Sequence, residues 1–218
     1  MQKWTYLIAA AIIASAATPI QAFDPSSFVG TMEVQFQPMQ SAGIRGGCTL
    51  VYRAVYQDYA TRKGNLVTIV GNIAYVRNKQ RSNITLSLKI GMVDSLDPKG
   101  KPEPPFFAYL QTPHGTTAGS KAIQFDSDTP GFRNFVYQFD GDTLKVYEDI
   151  LSGAPVTIGF NRRKGGLDVL VPLDLKVADS TIAADSSFKR RRSDDMLDQF
   201  SVCGLEVTNQ VQKQLESK

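Results

Sequence analysis

Residues 28–36 set Phe28, Gly30, Met32, Val34 and Phe36 in alternation with Val29, Thr31, Glu33 and Gln35, the period of a strand with one face against a core. Gly43, Gly46 and Gly47 mark a loop that delivers Cys48 to a second run, 49–56, rich in β-branched and aromatic residues that suit a pleated surface. A turn at Arg62-Lys63-Gly64-Asn65 precedes a third run, 66–76, apolar on both faces. In a fourth, Ile84, Leu86, Leu88, Ile90 and Met92 alternate with Asn83, Thr85, Ser87, Lys89 and Gly91, which predicts a strand with one wet face.

Pro98, Pro102, Pro104 and Pro105 then crowd residues 97–105 around Gly100. Proline donates no ladder hydrogen bond, so this stretch is predicted to cross over or link, and it is the candidate internal linker. Short strands are expected again at 106–110 and 122–125, on either side of a polar loop holding His114. Residues 132–139 and 143–147 flank Asp140-Gly141-Asp142, a hairpin signal. Residues 156–160 and 167–173 flank Asn161-Arg162-Arg163-Lys164-Gly165-Gly166 in the same manner.

Only the C-terminal stretch changes period: Met196, Phe200, Cys203, Val207, Val211 and Leu215 fall at spacings of three and four, one stripe of a helix. Ser193 is the expected N-cap, with Asp194 and Asp195 in the first turn, where they complement the positive helix end. Some nine short strands and one C-terminal helix predict a mainly β protein, an antiparallel sandwich or barrel-like domain.

Residues 1–22 carry Lys3, an apolar run and then small residues ending at Ala22, the order of a secretory signal. Residues 23–218 are then expected to form a single β-rich domain. No later stretch supplies the roughly 18 apolar residues of a membrane span, so an integral membrane protein is not expected. Cys48 and Cys203 are an even pair in an exported chain, which predicts a disulfide. Cys203 lies on the apolar helix stripe, so the bridge would staple that helix to the strand beginning at Cys48. The expected location is the periplasm of a Gram-negative bacterium, or secretion. The Asn83-Ile84-Thr85 sequon matters only in a eukaryotic pathway, and the signal has a bacterial character. With 24 lysines and arginines against 21 aspartates and glutamates, the chain is too balanced for a nucleic-acid partner.

The catalytic vocabulary is small. His114 is the only histidine, it sits among loop residues, and no Gly-x-Ser-x-Gly elbow accompanies it. Ser186 and Lys189 have a Ser-x-x-Lys spacing without the companion motifs of penicillin-binding enzymes. Asp126 with Asp128, and Asp140 with Asp142, read as turn formers rather than calcium loops. One His and two distant Cys make no zinc cluster, and no cofactor is expected. The most unusual local features are Arg162-Arg163-Lys164, at a predicted hairpin tip, and Lys189-Arg190-Arg191-Arg192, ahead of the terminal helix. Exposed guanidinium forks there could pair with phosphate or carboxylate.

These features predict an exported binding or envelope-assembly protein without enzymatic activity. Its partner would be an envelope protein or an anionic envelope component, met through Arg162, Arg163, Lys164, Arg190, Arg191 and Arg192. The alternative is a periplasmic hydrolase using scattered carboxylates or a Cys48–His114 pair. A secreted inhibitor or virulence factor is a third, weaker class.

Overall fold

A computed structural model describes residues 25–41, 44–78, 83–95, 100–183 and 188–216; the expected signal, 1–22, and Ser186 lie outside them. After a 3-10 turn at Pro25–Phe28, four long strands form a meander: β1 (Gly30–Ser41), β2 (Ile44–Asp58), β3 (Asn65–Asn78) and β4 (Asn83–Asp94). β5 (Phe107–Gln111), β6 (Ile123–Asp126) and β7 (Arg133–Gln138) follow, then a helix α1 (Gly141–Leu151). The chain continues through β8 (Val156–Asn161), β9 (Val169–Leu173), β10 (Val177–Ile182), β11 (Phe188–Arg192) and the terminal helix α2 (Asp195–Glu216). β1-β2-β3-β4-β7-β6 form one sheet, β5-β8-β9 a second and β10-β11 a ribbon, all antiparallel. The large sheet ends at β1 and β6, so it is open rather than a closed barrel, and the architecture is a mainly β, sandwich-like fold with a C-terminal helix.

The register of the meander explains its sequence pattern. Leu50, Ile73 and Leu88 lie opposite one another across β2, β3 and β4, as do Ala54, Ile69 and Met92, and all six are buried. A slip of one residue would send every one of them to the wet face. Tyr52 and Ile90 flank Gly71, where the Tyr52 hydroxyl donates to the Lys89 carbonyl at 3.1 Å. A Cβ at Gly71 would lie 2.7 Å from that hydroxyl and 1.8 Å from that carbonyl oxygen, so only glycine fits. In β1 the expected phase breaks at a bulge between Thr31 and Glu33. Thr31 is buried in place of Met32, and its hydroxyl accepts from the Asp174 amide at 2.7 Å.

β4 belongs to one sheet and β5 to the other, and between them Glu103 bonds back to Met92 through both backbone groups; residues 97–99 of the expected linker lie outside the described residues. The core is a continuous cluster joining the inner face of the large sheet to β5, β8, β9 and both helices.

Three expectations are corrected. Residues 143–147 are helical, not the second arm of a hairpin, because Asp140 caps α1, its carboxylate accepting from the Thr143 amide at 2.8 Å. Thr143, Val146, Tyr147 and Ile150 then face the core at helical spacing. Residues 188–192 form strand β11 rather than an irregular approach to α2. In α2 the buried stripe stops at Val211, leaving Leu215 exposed, and the helix begins at Asp195, whose amide is accepted by the Ser193 hydroxyl at 3.2 Å.

The Cys48–Cys203 disulfide is present, with Cα atoms 5.9 Å apart, and it joins α2 to β2 as expected. Gly204, the next residue, gives α2 the clearance to pass the Tyr147 hydroxyl of α1, which a Cβ would meet at 2.2 Å. A buried disulfide is compatible with an oxidising compartment. No helix among the described residues is long and apolar enough to cross a membrane.

Candidate functional site

Arg162 leaves the end of β8 and turns inward. Its side chain is only 10% exposed, and Nη2 lies 3.0 Å from the carboxylate of Asp58, which has no exposure at all. Asp58 closes β2, and the turn it starts supplies its other donors, the Thr61 amide at 2.8 Å and the Thr61 hydroxyl at 2.6 Å. The Tyr56 hydroxyl bridges the pair, accepting from Arg162 at 3.1 Å and donating to Asp58 at 3.5 Å. Nη1 of Arg162 donates to Glu103 at 3.3 Å, and Arg62 lies 3.5 Å from the same carboxylate oxygen. Burial would raise the Asp58 carboxyl, but the Thr61 hydroxyl and amide and the Arg162 cation outweigh it and hold the group below its ordinary value. Burial pushes the Tyr56 phenol up to about 12.

This network ties the β2–β3 turn to the β8–β9 loop. The sequence-based expectation that Arg162 stands free in solvent is therefore corrected: it is the tie. Its neighbours Arg163 and Lys164 are exposed, as is Lys63, held in the left-handed region at φ 54°. A cleft of about 340 Å³ lies between the two loops, lined by Ala60, Thr61, Arg162, Arg163, Gly166 and Leu167. Two large apolar side chains stand out at this end, Tyr59 at 74% and Leu167 at 82% exposure. The adjacent Asp168 is engaged, accepting from the Tyr109 hydroxyl at 3.0 Å and from Asn161 at 3.1 Å.

The second basic cluster is also largely consumed by the fold. Arg190 lies over the Phe188 ring at 4.7 Å and donates to the carbonyls of Thr31 and Val29, each at 2.8 Å, sewing β11 to β1. Gly30, at φ 121°, leaves room for that guanidinium, which a Cβ would meet at 3.1 Å. Arg192 pairs with Asp174 at 2.9 Å. Both arginines border a cleft of about 460 Å³ with Asp174, Leu175 and Pro172. Lys189 and Arg191 are exposed. Of the six residues expected to bind an anionic partner, Arg163, Lys164 and Arg191 are thus exposed and without a structural pairing among the described residues, whereas Arg162, Arg190 and Arg192 hold elements together.

His114 has a partner that the sequence did not reveal. Its Nδ1 lies 2.7 Å from Asp149 of α1, and its own amide donates to the other oxygen of that carboxylate at 3.0 Å. Against a carboxylate, Nδ1 carries the proton, so the tautomer is set. The Thr112 hydroxyl foremost, then His114, hold the Asp149 carboxyl below its ordinary value against the effect of burial. The Cys48–His114 alternative fails, because the Cys48 sulfur is fully buried and bonded to Cys203. The Asp-x-Asp residues serve local structure: Asp126 pairs with Arg133 at 2.9 Å, Asp128 with Lys89 at 3.5 Å and Asp142 with Lys145 at 3.2 Å, while Asp140 caps α1. Among the described residues no group of three or more His, Cys, Asp or Glu is placed to hold a metal ion.

Asp58, Tyr59, Lys63 and Leu167 were not singled out from the sequence. The available signal was Leu167 itself, an apolar residue following Gly165-Gly166 directly after a basic run. No protein-family model, curated protein or solved structure matches this chain.

Proposed function

We propose that the chain is an exported binding protein of the bacterial envelope, without catalytic activity, that receives an anionic envelope component at the loop end formed by residues 59–64 and 162–168. One observation carries this reading. The buried Asp58–Arg162 pair fixes the two loops against each other while Arg163, Lys164 and Lys63 remain exposed beside them. Loops already fixed against each other lose little backbone entropy on binding, and Arg in particular pairs bidentately with phosphate or carboxylate. The disulfide supports an oxidising, exported location.

The test is co-sedimentation of the purified protein with membrane vesicles isolated from a Gram-negative bacterium. Binding is expected at low salt and weaker at high salt, since exposed charge pairs are screened over about 10 Å at 0.1 M. Arg163→Glu with Lys164→Glu should abolish it without changing the melting temperature. Absence of binding, or binding indifferent to both salt and these changes, overturns the reading.

The His114–Asp149 pair is the observation that favours the alternative, a hydrolase, since a carboxylate-oriented imidazole is the base of many acyl-transfer sites. That reading requires a nucleophile beside His114, and hydrolysis of an ester panel abolished by His114→Ala would establish it.

A further inference from the structure

Resting on the binding function proposed above, the inference concerns what the loop end meets. We infer that it docks on the surface of an anionic phospholipid bilayer, with Arg163, Lys164 and Lys63 on headgroup phosphates and Leu167 and Tyr59 entering the headgroup boundary. The cations alone would suit any polyanion. The apolar side chains between them do not, because a soluble polyanion offers nothing to take Leu167, 82% exposed, or Tyr59, 74% exposed, out of water. A bilayer interface offers both partners at once, phosphate for the cations and hydrocarbon for the apolar residues. Tyrosine is suited to that depth, with an apolar ring and a wet hydroxyl.

The carboxylates at this end are outnumbered by its cations. Glu103 is taken up by Arg62 and Arg162, Asp58 is buried beneath Arg162, and Asp168 is turned to Tyr109 and Asn161. Asp168 is exposed and keeps its charge, since both its partners are neutral, so the loop end carries the three cations Lys63, Arg163 and Lys164 against one unneutralised carboxylate. Each cation near an anionic leaflet strengthens partitioning by about fivefold, and burial of a leucine side chain strengthens it by about tenfold or more. The combination gives reversible, composition-dependent attachment rather than permanent anchoring.

The experiment is co-sedimentation of the protein purified from the exported fraction with vesicles of phosphatidylcholine, with and without phosphatidylglycerol. Binding is expected only with phosphatidylglycerol. Arg163→Ala with Lys164→Ala should weaken it by about thirtyfold, and Leu167→Ser should weaken it by about tenfold, with melting temperatures unchanged in both. A second measurement reports insertion directly. Trp4 is the only tryptophan, so with Trp4→Phe a Leu167→Trp chain has one emitter, which should shift to the blue on phosphatidylglycerol vesicles and be quenched by brominated acyl chains.

Equal binding to both vesicle types, full competition by inorganic phosphate, or a Leu167→Trp emission that does not move overturns the bilayer assignment. If isolated envelope vesicles bind the protein until they are treated with protease, while phosphatidylglycerol vesicles do not bind it, the partner is an envelope protein. The bilayer inference then fails and the broader binding function stands. If neither vesicle preparation binds it, both fail.

Discussion

Arg162 sits 3.0 Å from the carboxylate of Asp58 in a site with no solvent access to that acid, while Arg163, one residue later, is exposed. A single basic run thus divides into a structural cation and a surface cation, and the two should respond differently to substitution. Arg162→Ala leaves a buried carboxylate without its counter-ion, a change that costs about 3–5 kcal/mol. Arg163→Ala and Lys164→Ala should stay within about 0.5 kcal/mol of the parent. Urea unfolding of the three variants checks this, and an Arg162→Ala protein as stable as the parent would reject the tie.

Acid should unfold the protein through specific carboxylates. Asp58 and Asp149 are held below the ordinary value of 3.8 by the donors described above. Asp140 is held low by the Thr143 amide first, against some burial, with help from the Thr143 and Ser120 hydroxyls. As pH falls, the unfolded chain takes up these protons before the folded one does. Each group therefore contributes its full stabilisation above the unfolded value, and that contribution is lost as pH falls through the lower folded value. Stability should decline steeply below about pH 4. Asp140→Asn, which keeps a side chain able to cap α1, should reduce the slope. A slope unchanged by this substitution would show that the cap does not titrate differently in the two states.

Removal of the disulfide should be costly. The bridge spans a sequence separation of 155 residues, and the chain-entropy model assigns such a loop about 5 kcal/mol, real bridges often giving less. Cys48→Ala with Cys203→Ala should lower the melting temperature and loosen α2, read as faster amide exchange along 195–216. Two readily alkylated thiols in the untreated, exported protein would contradict the bridge.

His114→Ala should cost about 1 kcal/mol or less, because the ring is largely exposed and the Asp149 carboxylate keeps the His114 amide as a donor. Asp149→Ala should cost more, about 1–3 kcal/mol, since it strips the acceptor from the 112–117 loop where that loop crosses α1. Equilibrium unfolding distinguishes the two. Equal and large losses would mean that the ring itself anchors the loop.

The meander was legible in the chain because its cause is local. Ile84 to Met92 alternate strictly, and period-two alternation has few other uses. The β8–β9 hairpin was legible for a similar reason, its Gly165-Gly166 pair falling between two β-rich runs. The terminal helix and the cysteine pairing followed from one stripe and an even count. Helix α1 was not legible, because Asp140-Gly141-Asp142 suits a turn and a helix start equally. The decision fell to Val146, Tyr147 and Ile150, which find the core only at helical spacing. Ribbon β10–β11 was hidden by its own charge: Lys189 to Arg192 read as solvated until Arg190 meets the carbonyls of Val29 and Thr31.

The candidate site divides along the same line. That residues 162–164 are basic and lie at a hairpin tip is written in the chain. Which of them faces water is not, since it depends on Asp58, a residue of another hairpin brought alongside only when the two sheets pack. The pairing of His114 with Asp149 likewise exists only once α1 lies across the 112–117 loop. Local alternation sets strand and face because the backbone period is two everywhere. The partner of a charge is set by folding, because a carboxylate taken out of water accepts whatever cation the tertiary structure brings within reach.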